Sequence, residues 1–229
     1  MAEVQFQPLQ SRPERLADVV YEAIRHSIMD KTLPPGARLT ESGIAEQLGV
    51  SKTPVREALL RLRRIGVIEP DGVRGGRVVR PSLSAIRQAY EVREALEVFA
   101  VRVVAERGLS GPDLERIGEA ARLSYEHAAG GDQAGFREWD FVFHRAIADA
   151  AANPHLAGLI EDVFTLIGTL RQRDFPDTGF SVDCGKAHIR IAEAIAHREV
   201  AEAEQATREH IRQVEGYVLA EPGLVDSRR

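Results

Sequence analysis

The 229-residue sequence predicts a mostly α-helical protein in two parts: an N-terminal helical module closed by a short hairpin, and a C-terminal all-α antiparallel bundle of six helices. Three observations predict it. Up to Pro81 the pattern reads helix, helix, tight turn, helix and two short strands. Beyond Pro81 it changes to long amphipathic segments parted by brief Gly, Asn and Pro punctuators. The charge turns over at the same point: 13 Lys+Arg against 10 Asp+Glu up to Pro81 (+3), then 17 against 25 (−8). Domains are therefore expected over 1–81 and 82–220, with 221–229 as a disordered tail.

Leu16, Val19, Val20, Ala23, Ile24 and Ile28 recur at spacings of three and four, so the spacing predicts a helix over Pro13–Asp30 that Leu33-Pro34-Pro35-Gly36 ends. A short helix over Glu41–Leu48 follows, with Ile44, Ala45 and Leu48 inward and Gly49 as its C-terminal stop. Ser51 or Thr53 can cap a third helix, Ser51–Arg64, with Pro54 in its first turn and an inward stripe of Val55, Leu59 and Leu62. Val67–Pro70 and Gly76–Arg80 read as strands about the turn Asp71–Gly75. This is the order of a winged helix-turn-helix. Six further helices are placed at Ser84–Arg107, Gly111–Ala129, Asp132–Ala152, Pro154–Arg173, Ser181–His197 and Glu199–Leu219; no Gly or Pro marks the break at His197–Glu199.

Composition excludes several classes. With 44% hydrophobic and 28% charged residues the chain is globular rather than disordered. No run approaches the ~18 apolar residues of a membrane span, and Met1–Gln10 has no basic start before an apolar core, so a cytoplasmic, unprocessed protein without membrane contact is expected. A single Cys, Cys184, excludes an internal disulfide and a multi-cysteine zinc site.

The net −5 hides a basic stretch, Val50–Pro81, with 8 basic against 3 acidic residues. Such asymmetry points to polyanion contact by one end of the chain. Lys52 and Arg56 share one face of the third helix, opposite its apolar stripe, and Arg63 and Arg64 lie further on to meet backbone phosphates. In Arg74-Gly75-Gly76-Arg77 the glycines would let the wing approach a groove, with an arginine on each side. An ordinary solvated helix face and hairpin turn are the alternatives.

The runs Leu33-Pro34-Pro35-Gly36-Ala37-Arg38-Leu39-Thr40-Glu41 and Leu48-Gly49-Val50-Ser51-Lys52-Thr53-Pro54-Val55-Arg56-Glu57-Ala58-Leu59, with Leu62 and Gly66, resemble the GntR-type winged-helix signature. The resemblance implies a bacterial transcriptional regulator that binds a palindromic double-stranded DNA operator as a homodimer. It puts Arg38, Ser51, Lys52, Thr53, Arg56, Arg63, Arg74, Gly75 and Gly76 at the DNA. Lys52 stands where the family usually has arginine, so a phosphate contact is expected there rather than a bidentate guanine contact.

In the second part, Asp140 and His144 are four apart on one helix and point the same way. His188 and His210 are equidistant from residue 199, so an antiparallel hairpin brings them level. One carboxylate and three neutral imidazoles suit a divalent ion such as zinc, nickel or manganese with positions left open. Spacing alone leaves separate core or surface histidines equally open. Ser84–Leu219 resembles the all-helical FCD effector domain of the FadR branch, and its six helices the VanR-type subgroup. The family's Asp-x3-His, His and His ligand pattern falls on Asp140, His144, His188 and His210. Arg93, flanked by Ala89, Tyr90, Leu96 and Ala100 at inward spacings, matches an arginine that such regulators use to hold ligands, and the effector expected is a small carboxylate; a surface ion pair with Glu94, Glu97 or a neighbouring helix is the other reading. A regulator without catalysis is expected. The alternatives are a metal-dependent enzyme fused to a DNA-binding module, and a regulator whose metal is purely structural.

Overall fold

The computed structural model describes residues 16–72, 75–109, 111–171 and 178–220. The expected helix start at Pro13, Arg74, the Phe175-Pro176 punctuator and the tail 221–229 lie outside the described residues. The chain divides between Arg80 and Pro81 into two compact units, each with its own core.

The first unit holds α1 (Leu16–Met29), β1 (Arg38–Thr40), α2 (Glu41–Leu48), α3 (Lys52–Arg64), β2 (Ile68–Pro70) and β3 (Gly75–Val78). α1 packs mainly on α3. The buried stripe of α1 is Ala17, Val20, Tyr21, Ile24 and Ile28, while Leu16 and Val19 of the apolar spacing are exposed. Tyr21 takes the inward place with its ring under the Arg61 guanidinium at 4.0 Å, an amphipathic residue that an apolar count overlooks. Thr40 caps α2 by accepting from Gly43 N at 3.1 Å. Gly49 ends α2 at φ 65°, a left-handed C-terminal stop where a side chain would be strained. Leu48 is 42% exposed, not inward, because the eight-residue α2 buries one narrow face.

α3 buries Val55, Ala58, Leu59 and Leu62. The sheet has order β1-β3-β2, all antiparallel, with Leu39 opposite Gly76 and Ile68 opposite Val78. β1 was not among the expected strands. Gly75 and Gly76 lie buried inside this sheet rather than exposed at its tip. A Cβ on Gly76 would stand 2.2 Å from Ile68 Cγ2, and one on Gly75 2.6 Å from the Leu39 carbonyl oxygen. Close strand packing therefore accounts for both glycines, which corrects their reading as groove-facing backbone.

The second unit is α4 (Leu83–Arg107), α5 (Pro112–Ala129), α6 (Gln133–Ala150), α7 (Pro154–Leu170), α8 (Thr178–Ala196) and α9 (Val200–Leu219). Four of the six starts have local chemistry: the Ser82 hydroxyl accepts from Ala85 N, Pro112 opens α5, Asp132 accepts from Gly135 N, and Asn153 accepts from His155 N and Leu156 N. α5 packs on α6 and α8, while α4 packs on α7 and α9. Val101, Val104, Ile117, Phe143, Ile147 and Ile191 are central to the core. The unmarked break between α8 and α9 is a left-handed C-terminal cap at Arg198, φ 59°. Arg198 N bonds Ile195 O and Glu199 N bonds Ala194 O, the Schellman pairing with an arginine where glycine is usual. The resulting hairpin sets His188 and His210 against each other.

Candidate functional site

α6, α8 and α9 bring Asp140, His144, His188 and His210 together, with one ligand atom from each lying within 4.8 Å of the others. The imidazoles are buried, and Asp140 keeps a partly open side chain. Asp140 Oδ1 is 3.8 Å from His144 Nε2 and 3.5 Å from His188 Nε2. His188 Nε2 and both nitrogens of His210 are buried without a hydrogen-bond partner among the described residues. Orphaning three buried nitrogens costs about 1–3 kcal/mol each, and a metal ion is the partner that would relieve two of them at one point, His188 Nε2 and one nitrogen of His210. The donor set fits a divalent cation of zinc, nickel or manganese type.

Other side chains fix the ring orientations. Ser124 Oγ donates to Ala121 O and lies 2.9 Å from His188 Nδ1, so it accepts the Nδ1 hydrogen and leaves the Nε2 lone pair directed at Asp140. Glu97 Oε2 is 2.5 Å from His144 Nδ1, a carboxylate–histidine pair of the kind that orients metal ligands. Phe143 stacks on His188 with ring centroids 4.3 Å apart. Arg93 is fully inside the bundle: Nε donates to Glu97 Oε1 at 2.5 Å, and Nη2 lies 3.0 Å from His144 Nε2. Its ion pair with Glu97 is buried, not the surface pair weighed from the sequence. Glu97 was legible only as a residue four from Arg93, and Ser124 had no signal at all, because its partner is 64 residues away.

Burial, with the neighbouring His144 and Arg93, holds His188 and His210 well below 6.5, so both are neutral and able to ligate. Burial raises the Glu97 carboxyl, but Arg93 and His144 override it and bring it down to about 2. Both effects favour the fold at high pH. Below about 6.5 the unfolded chain protonates histidines that the fold keeps neutral, and below about 4.5 it protonates a carboxylate that the fold keeps charged. Metal-free protein is therefore expected to lose stability as pH falls from 7, in urea unfolding between pH 8 and 4. A flat profile from pH 8 to 5 would contradict neutral buried imidazoles.

In the first unit Ser51, Lys52, Thr53 and Arg56 are exposed at the start of α3. Ser51 occupies the N-cap position without a side-chain capping bond, so its hydroxyl does not serve the helix. Arg56 is 52% exposed and held in a fork by Glu41: Nε to Oε1 at 3.0 Å and Nη2 to Oε2 at 2.8 Å. Glu41 is buried and was not among the expected site residues. Arg38 is exposed and pairs with Asp71 at 3.2 Å. Arg63 instead donates to the Gly75 carbonyl, tying α3 to β3, which corrects its reading as a free phosphate ligand.

Comparison with known proteins agrees with both units. The family described as "Bacterial regulatory proteins, gntR family" matches residues 16–78 and the "FCD domain" matches 88–213. A probable D-xylose utilization operon transcriptional repressor of Paenarthrobacter nicotinovorans is 31% identical over 204 residues, 86% of this chain and 85% of that one. The HTH-type transcriptional regulator LutR of Bacillus subtilis is 31% identical over 82% of this chain and 94% of its own. The E. coli McbR/YncC structure superposes with a TM-score of 0.75 at 23% identity, over 90% of this chain and 98% of that one, which shows the shared fold. These relatives are transcriptional regulators, and the reading as an enzyme has no support among them. No helix among the described residues is long and apolar enough to cross a membrane. The chain belongs to the GntR family of bacterial transcriptional regulators and joins its DNA-binding winged helix to an FCD domain.

Proposed function

We propose that this regulator binds two-fold-related operator DNA in the cytoplasm as a homodimer, and that a small organic acid bound at a divalent metal in the second unit changes its operator affinity. The observation that carries the effector reading is the set of orphaned imidazole nitrogens beside Asp140 and the buried Arg93. A bundle of net −8 repels carboxylates. A metal held by Asp140, His144, His188 and His210 concentrates positive charge inside it and leaves coordination positions open. Arg93 supplies a fork for a second carboxylate oxygen. Binding affects DNA if the acid prefers one of two arrangements of the chain; a differential affinity is all that release requires. Calorimetry of a carboxylate panel against wild type, Arg93→Ala and metal-stripped protein tests the reading. An acid that binds wild type at least ~10-fold more tightly than the other two, about 1.4 kcal/mol, supports it; equal binding to all three refutes it.

At the DNA, the exposed start of α3 with Ser51, Lys52, Thr53 and Arg56 would enter the major groove, with Arg38 and Arg74 at phosphates. One recognition helix reads only a few base pairs, so a second half-site supplies the missing affinity and register. Light scattering is expected to show a dimer, and footprints two half-sites; a monomer that binds an asymmetric site tightly would contradict this.

A further inference from the structure

The nitrogen that His144 would offer to a metal is already engaged. Nδ1 faces Glu97 at 2.5 Å, and Nε2 faces Arg93 Nη2 at 3.0 Å. A guanidinium has donors and no acceptor, so Nε2 accepts with its lone pair and Nδ1 carries the hydrogen that Glu97 receives. An imidazole nitrogen has one lone pair in the ring plane. It can accept from Arg93 or coordinate a cation, and the two uses exclude each other. His188 and His210 differ, since their outward nitrogens have no such competitor among the described residues.

We infer that Arg93 is the resident cation of this centre: its guanidinium and a divalent metal compete for His144 Nε2, and His144 releases Arg93 only when it ligates metal. The inference rests on the metal reading above and deepens it. Two features make the exchange feasible. Arg93 is anchored to Glu97 through Nε at 2.5 Å, so the planar guanidinium can pivot as a unit about that bond and carry Nη2 off His144 while the buried ion pair is kept. Its Cζ also lies 4.6 Å from the Phe164 ring centroid, a face that accommodates the cation after it leaves His144. The exchange keeps the buried charge of Glu97 paired with Arg93 in both states, which is the requirement for leaving a carboxylate inside a bundle. It also sets an order: the fork of Arg93 opens to an anion after His144 has taken metal, so metal and anion bind with positive coupling.

A purely supporting Arg93 predicts the opposite sign. If it served only to hold Glu97, and through it His144, its loss would weaken metal binding, as the loss of outer-shell partners ordinarily does by 10–100-fold. The test is Zn(II) affinity by competition with a chromophoric chelator at pH 7.5, for wild type and Arg93→Met, a variant of similar length with no donor. The exchange predicts affinity about tenfold higher in Arg93→Met; equal or lower affinity overturns it. Should that variant fail to fold, arginine-labelled wild type carries the question: the Arg93 side-chain nitrogen resonances, assigned through Arg93→Lys, are expected to move on addition of zinc alone. Unmoved resonances at saturating zinc overturn the inference. Wild type that takes up no zinc overturns the metal reading with it, whereas zinc uptake with no gain in Arg93→Met overturns the exchange alone.

Discussion

His210→Ala protein is expected to emerge from purification without the divalent ion that wild type carries, and to bind zinc on the order of 100-fold more weakly. Four-ligand zinc sites contribute roughly 10–16 kcal/mol. One ligand's share is about 3 kcal/mol, which converts to that factor. His188→Ala should behave alike, because its Nε2 is oriented by Ser124 at 2.9 Å from Nδ1 and points at Asp140. The metal-free variants are informative as well. Truncating a buried imidazole leaves a cavity, at about 2–5 kcal/mol for a large-to-alanine change. It also removes the orphaned nitrogens, two of them in His210, each of which costs the fold about 1–3 kcal/mol. The two terms nearly cancel, so metal-free His210→Ala should unfold close to metal-free wild type. Wild type alone should gain on loading, by about 2.7 kcal/mol at a hundredfold excess over Kd. Elemental analysis and thermal unfolding with and without chelator measure both quantities, with the exposed His155→Ala as control. Full metal occupancy in both ligand variants would show that these histidines are not ligands.

Legibility in the sequence followed the range of the interaction. Helix starts at Ser82, Pro112, Asp132 and Asn153 are written in residues that act on backbone three or fewer positions away, and their placement needs no tertiary knowledge. Asp140 and His144 were legible for the same reason, being one helical turn apart. His188 and His210 needed one further inference, a hairpin, and were found through the symmetry of their spacing rather than through the turn itself. Arg198 conceals that turn by adopting a left-handed conformation without glycine. β1 was invisible because three residues with one buried side chain make no pattern, and their stability comes from β3, whose paired residues lie 35 or more positions on. Glu41, Ser124 and the link from Glu97 to His144 share that difficulty. Each exists only once two helices are packed together, and nothing local distinguishes them from surface polar residues.

Arg56→Ala is expected to weaken operator binding by about 1–3 kcal/mol, the usual cost of a lost base or phosphate contact. The structure gives a reason for the upper half of that range. Glu41 holds the guanidinium in a two-pronged fork while half of the side chain stays exposed, so little rotamer freedom remains to be lost on DNA. Removing Arg56 has a second consequence, because Glu41 is buried and loses that partner. Part of any binding defect could then come from a loosened junction between α2 and α3. Arg56→Lys separates the two effects: an ammonium keeps Glu41 compensated but cannot reproduce the fork. If the contact is direct, Arg56→Lys folds as wild type yet binds with intermediate affinity; if Arg56 only braces Glu41, it binds as wild type. Lys52→Ala should act differently from either. Lys52 is exposed at the first turn of α3, with a point charge suited to phosphate, so its loss should lower affinity uniformly across sequences and reduce the salt slope by about one per half-site. Gel-shift titrations at several salt concentrations, paired with urea unfolding of each variant, measure all of these quantities. Unchanged affinity in both alanine variants would take α3 out of the DNA interface.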